Sequence, residues 1–172
     1  MLSIVGLALK YDGYYIKYTG NEDLSNISSP AQESEAYKDY CVEKIIHAYE
    51  TGNFNILYDD FADDIQFHSQ WVLEPMIGKE ALIDYYNRKG QALKKSSSKL
   101  NGSAVVITES QKRNGNVVLV SEPGKVCALM AQEINSNTNW IFISPKFDEN
   151  NKLIEIALND PGLFSFMPYY AF

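Results

Sequence analysis

The sequence predicts an α+β fold, a cone-like curved antiparallel sheet wrapped around three N-terminal helices, with an extra hairpin ahead of them. Three observations carry this prediction. Tyr37, Cys41, Ile45 and Ala48 recur at helical spacing, and Gly52 follows as a left-handed stop. Ile65 to Trp71 alternates as a strand does, with Ile65, Phe67, Ser69 and Trp71 on one face. From residue 99 onward the chain is β-rich and divided by Asn114-Gly115 and Pro123-Gly124.

Taken in order, Leu7 to Tyr11 and Tyr14 to Tyr18 flank Asp12-Gly13, the signal of a two-residue type I′ hairpin. Residues 1–28 read as an N-terminal extension, 29–160 as the domain and 161–172 as an aromatic tail. The first helix is expected to open at Ser29, with Pro30 at its first position and Gln32 completing a capping box. A short helix over Phe54 to Asp60 follows. A third helix runs from Lys79 to near Leu93, with Leu82, Tyr85, Tyr86 and Leu93 as its buried stripe. Strands are expected near 99–110, 116–122, 125–134, 138–147 and 152–159.

Composition narrows the function. The chain has 172 residues, 45 % of them hydrophobic, and a net charge of −7 with no basic run beyond Lys94-Lys95. Nucleic acids and anionic membranes both demand a cationic surface, so neither is an expected partner. The two cysteines, Cys41 and Cys127, have no metal-ligand or CxxC spacing and read as small core residues of a cytoplasmic protein. No stretch approaches the roughly 20 apolar residues that span a bilayer. His47 and His68 fall on outward faces and share no ligand spacing, so no metal or other cofactor is expected.

The stretch from Gly52 through Phe61-Ala62-Asp63-Asp64 and Pro75 to Gly78 resembles the same stretch of the bacterial ketosteroid isomerases, without gaps. Lys146 to Leu153 is similar to that family's last hairpin. Together they identify residues 36–160 as similar to the nuclear transport factor 2-like superfamily, which also includes the SnoaL-like polyketide cyclases. The resemblance implies a cone with one open end, a cavity inside it and dimerisation through the outer sheet face.

The resemblance also locates the isomerases' catalytic stations, and this chain departs from them. The base position falls on Ser69, the tyrosine position on Ile45 and the acid position on Ile143. Serine needs a base of its own to take a proton from carbon, and isoleucine donates nothing to an oxyanion. The Asp-Arg-Asp relay of the epoxide-opening relatives is not expected either, because Arg88 and Arg113 sit late on a helix and in a turn. A cyclase-like lyase would need one carboxylate, for which Glu133 and Asp160 are the candidates.

Three readings follow. The first is a homodimer that binds a small, largely apolar ligand in a cavity lined by Ile45, Phe67, Ser69, Trp71, Tyr86 and Ile143. The second is a lyase or cyclase acting through Glu133 or Asp160. The third is an interaction module whose interior is filled by its own side chains. Trp140 and Phe142, alternating with Ile141 and Ile143, are the expected interface residues on the outer sheet face. Asp59, Asp60, Asp63 and Asp64 read as solvated or capping acids.

Overall fold

Helix α1 (Ala36–Thr51) buries Tyr37, Cys41, Val42, Ile45, Ile46, Ala48 and Tyr49, a wider stripe than the four positions that announce it. The structure is a computed structural model that describes residues 9–11, 14–18, 30–34, 36–69, 74–96, 100–107, 112–113, 116–117, 126–134 and 137–159. α1 begins six residues later than a Ser29 cap with Pro30 at the first helical position predicts. The reason is tertiary. Asn151, held at φ 57° in the turn after the strand Asn137–Phe147, donates its side-chain amide to the carbonyls of Gln32 (2.7 Å) and Ser34 (3.1 Å). The Ser34 hydroxyl meanwhile donates to the Ala31 carbonyl at 2.7 Å. Carbonyls that a helix would have used are spoken for, so residues 31–34 form a turn.

Gly52 ends α1 with φ 68°, as its place in the sequence requires. Phe54–Asp60 is the expected short helix, in 3₁₀ form. Strand β3 (Phe61–Ser69) starts four residues earlier than the alternation from Ile65 indicates. Phe61 is 2 % exposed and packs into the core, whereas Asp63 and Asp64 are exposed. β4 (Met76–Ile77) pairs with β3, and Gly78 at φ 99° turns the chain into α2 (Lys79–Lys95). Leu82 and Tyr86 are buried on α2, with Tyr85 and Leu93 partly so.

One sheet has the order β1-β2-β5-β8-β9-β10-β3-β4. Its remaining strands are β1 (Leu9–Tyr11), β2 (Tyr14–Tyr18), β5 (Leu100–Ile107), β8 (Val126–Ile134), β9 (Asn137–Phe147) and β10 (Leu153–Asn159). Every pair is antiparallel except β10 with β3, which run parallel. Tyr11 pairs with Tyr14, so β1 and β2 form the expected antiparallel hairpin; Asp12-Gly13 itself lies outside the described residues. The hairpin is not set apart from the rest, because Ile16 pairs with Ile107 and makes β2 a neighbour of β5. Of the expected strand 116–122, the described part is β7 (Asn116–Val117), paired only with β6 (Lys112–Arg113). These two strands form their own small ladder.

The sheet must curl. From β5 to β3 is four strand spacings, roughly 19 Å if laid flat. Yet α1 packs on β5 and β8, α2 packs on β3, and the two helices touch each other. Its concave face can be followed strand by strand. Ser69 of β3 pairs with Leu158 of β10, Leu158 with Ile143 of β9, Ile143 with Ala128 of β8, and Ala128 with Ala104 of β5. In this row the side chains are small on β5 and β8, where α1 packs, and bulkier on β9 and β10. The convex face is covered as well: Cys127, Leu129, Phe142 and Ser144 are all buried, and Cys127 Sγ lies 3.6 Å from Ser144 Oγ.

Candidate functional site

The interior is organised by the contact between the end of α1 and the second half of α2. A Cβ on Gly90 would stand 2.4 Å from the Gly52 carbonyl oxygen, and one on Gly52 would stand 2.8 Å from the Gly90 carbonyl oxygen. Only two glycines allow this approach. It brings Tyr49 of α1 against Tyr86 of α2, ring centroids 6.2 Å apart and edge to face. Phe54 stacks on Tyr86 at 4.4 Å, and Phe67 of β3 meets Tyr86 at 5.8 Å and Tyr85 at 5.0 Å. The Tyr49 and Tyr86 hydroxyls are 3.5 Å apart, and burial pushes both phenols well above their ordinary pKa. At neutral pH both are therefore neutral donors.

The structure brings four of the six expected ligand-lining residues into one cluster. Ile45, Phe67, Tyr86 and Ile143 are each no more than 2 % exposed and pack together. Ser69 stands on the same concave face, half-buried at the end of β3. Of the residues that the resemblance sets at the isomerase stations, Ile45 and Ile143 are buried in the core and Ser69 is half-buried. Trp71 lies outside the described residues, as does Asp160. Glu133 and Trp140 are placed by their backbones alone, Glu133 opposite Thr138 and Trp140 opposite Ala131. Phe142 is on the convex face and 5 % exposed. His47 is exposed, and His68, next to Ala157, is on the convex side away from the helices.

Two lysines matter that the sequence reading passed over. Lys89 of α2 is mostly buried, its Nζ lying 5.1 Å from the Tyr49 ring centroid and 5.6 Å from that of Tyr85. It donates to Tyr85 Oη at 3.3 Å. Burial pulls its ammonium down to about 8, because the charged form loses hydration that phenol oxygen and ring faces only partly replace. A sequence signal existed. Lys89 follows Tyr85 by four and Tyr86 by three, so it belongs on the inward stripe of α2.

Lys44 is the second. It forms a buried ion pair with Asp60, which also accepts the Tyr37 hydroxyl at 2.5 Å. Asp60 is 2 % exposed, not the solvated acid its neighbours suggested. Burial, and then the hydrogen bond to Asp60, push the Tyr37 phenol upward. The adjacent Cys41 thiol, buried and near the same carboxylate, is pushed up to about 12. Such a thiol is protonated and inert at neutral pH.

Among the described residues, no group of three or more His, Cys, Asp or Glu side chains is arranged to hold a metal. No described helix is long and apolar enough to cross a membrane.

No family model matches the chain, and no curated protein does. Several solved structures are similar to it. An NTF2-like protein of unknown function from Cytophaga hutchinsonii shares 15 % identity with a TM-score of 0.45, over 72 % of this chain and 96 % of that one. A SnoaL-like protein of unknown function from Burkholderia thailandensis shares 10 % identity with a TM-score of 0.46, over 74 % and 96 %. The Orange Carotenoid Protein of Anabaena, binding canthaxanthin, shares 13 % identity with a TM-score of 0.45, over 83 % of this chain and 41 % of that one. The order of helices and strands, the curl of the sheet and the helix pair on its concave face make this an α+β fold of cone-like form.

Proposed function

We propose that this chain binds a small, largely apolar molecule at the open end of its cone and does not act as an isomerase. One observation carries this reading. Along the concave face, exposure rises from 3 % and 0 % at Leu158 and Ile143 to half-buried Ser69 and Ile141. Tyr85 is also half-buried, its ring against Phe67, two residues before Ser69 on the same face. An apolar floor with a hydroxyl and a phenol at its margin suits a ligand that needs burial first and orientation second. Each Å² of apolar ligand surface buried there contributes about 25 cal/mol.

Thermal melting against a panel of lipids and polyketide-like aromatics tests this directly. Binding at 100 times Kd adds about 2.7 kcal/mol of stability and raises Tm by several degrees. Ser69→Trp, which fills the margin, should abolish the shift without lowering the unliganded Tm by a similar amount. If no compound shifts Tm and native mass spectrometry finds only empty protein, the reading fails.

The tight interior favours a second reading, a homodimeric interaction module with a self-filled cone. Ile45, Phe67, Tyr86 and Ile143 belong to one buried apolar cluster. Sedimentation of the full chain separates the two readings. A dimer lost in Phe142→Asp, with no ligand response in either form, supports the module.

A further inference from the structure

We propose that Lys89 is the anchor for the carboxylate head group of an otherwise apolar ligand. This rests on the small-molecule reading above and names the chemical class that the margin of the cone selects. The argument begins with the lysine's surroundings. An ammonium has three N–H donors, and Lys89 gives one to Tyr85 Oη across a long 3.3 Å contact. The other neighbours recorded for Nζ are the faces of Tyr49 and Tyr85. No described carboxylate stands within ion-pair distance of it.

The nearest acid candidates on the packed elements are engaged or turned away. Glu50, next to Tyr49 on α1, accepts the Gly102 backbone N–H at 2.8 Å and holds α1 to β5. Asp84, ahead of Tyr85 on α2, is exposed. The titratable groups that do face Lys89 are Tyr49 from α1 and Tyr85 from α2, with Tyr86 next to them. Burial raises the pKa of all three phenols, so they remain neutral and cannot compensate the cation.

A mostly buried cation without a counter-ion is a costly arrangement, and a bound anion relieves it. The geometry favours one singly charged group with two oxygens. One oxygen takes the free N–H donors of Lys89. The other takes the Tyr85 hydroxyl proton, which Lys89 leaves available because it uses only the oxygen of that phenol. A phosphate would bring a second charge to a site with one cation, on a chain of net charge −7. The ring faces of Tyr49 and Tyr85 around Nζ suit a ligand that continues as hydrocarbon.

Decanoate and decan-1-ol are the probes, titrated calorimetrically at pH 7 into the full chain. The wild type should bind decanoate about tenfold or more tightly than the alcohol, as a charge-assisted pair requires. Lys89→Met should bring that ratio close to one, chiefly by weakening decanoate. Lys89→Arg should retain most of the preference, which checks that a cation and not the fold was lost. Equal binding of the two probes by the wild type, or a preference that survives in Lys89→Met, overturns the anchor but leaves the small-molecule reading standing. If neither probe saturates the wild type, the anchor falls, and the thermal panel described above decides the small-molecule reading separately.

Discussion

Lys44 and Lys89 are the same residue type on two packed helices, each with its ammonium near a tyrosine ring, and their surroundings differ in one respect. Lys44 lies 5.8 Å from the Tyr40 ring and meets Asp60, a carboxylate that is itself bonded by Tyr37. Lys89 lies 5.1 Å from the Tyr49 ring and meets only a phenol. The first site is closed: cation, anion and hydroxyl satisfy one another and fasten α1 to the 3₁₀ segment. The second is electrically open, and burial without an anion has moved the lysine's pKa down to about 8. A closed polar cluster is a fastening, while an open one has capacity to receive something.

The largest way to break this contrast is to make Lys44 resemble Lys89. Asp60→Ala leaves a buried ammonium without its anion and the Tyr37 hydroxyl without its acceptor, and should cost about 3–5 kcal/mol. Urea unfolding measures it; a loss below 1 kcal/mol would mean the cluster is not a fastening. Adding Lys44→Met to Asp60→Ala should recover a good part of that loss, because the stranded charge is gone.

The reverse change, Lys89→Met, should stabilise the chain by about 1–3 kcal/mol at pH 7. In the unfolded chain this lysine titrates near 10.4 and in the fold near 8. Between those values the unfolded chain holds more protons, so this lysine's penalty fades as pH rises. Below about 8 the penalty is fully present. The stabilisation should therefore be constant at acid and neutral pH and diminish towards pH 10. A gain of the same size at pH 7 and pH 10.5 would show that Met packs better and that the charge was irrelevant.

Smaller effects sharpen the comparison. Tyr37→Phe removes one charge-assisted hydrogen bond from the Lys44 cluster and should cost about 1–2 kcal/mol by urea unfolding. Tyr85→Phe leaves Lys89 with only ring faces. It should lower the midpoint pH at which the Lys89 stability contribution changes, because the remaining oxygen partner of the cation is gone. An unchanged pH profile would show that the 3.3 Å contact carries no weight. His47→Ala, an exposed change on α1, should stay within about 0.5 kcal/mol.

Much of the fold was legible because its signals are local. Gly52 and Gly78 are positions with positive φ that their turns require, and the chain places glycine at both. Alternation from Ile65 assigns Phe67 and Ser69 to the inside and His68 to the outside. Asp12-Gly13 specifies its own hairpin. Where the reading missed, a distant partner was responsible. The Gln32 capping signal is intact in sequence, yet Asn151, more than a hundred residues away, takes the carbonyl of Gln32. Asp60 follows one acid and precedes two more, and only Tyr37 and Lys44 distinguish it from its solvated neighbours.

Periodicity and turn chemistry already announce which segments are helix or strand and which face of each turns inward, since backbone sterics and apolar spacing act over a few residues. The sequence also carries the resemblance by which Ser69, Ile45 and Ile143 are expected at the isomerase stations. Which charges find partners is another matter. Helical spacing gives Lys44 and Lys89 equal claims to the interior, and the curl of the sheet and the Gly52–Gly90 contact give an anion to one and withhold it from the other. Coulombic pairing depends on separation through space, and that distance exists only once the chain has closed on itself.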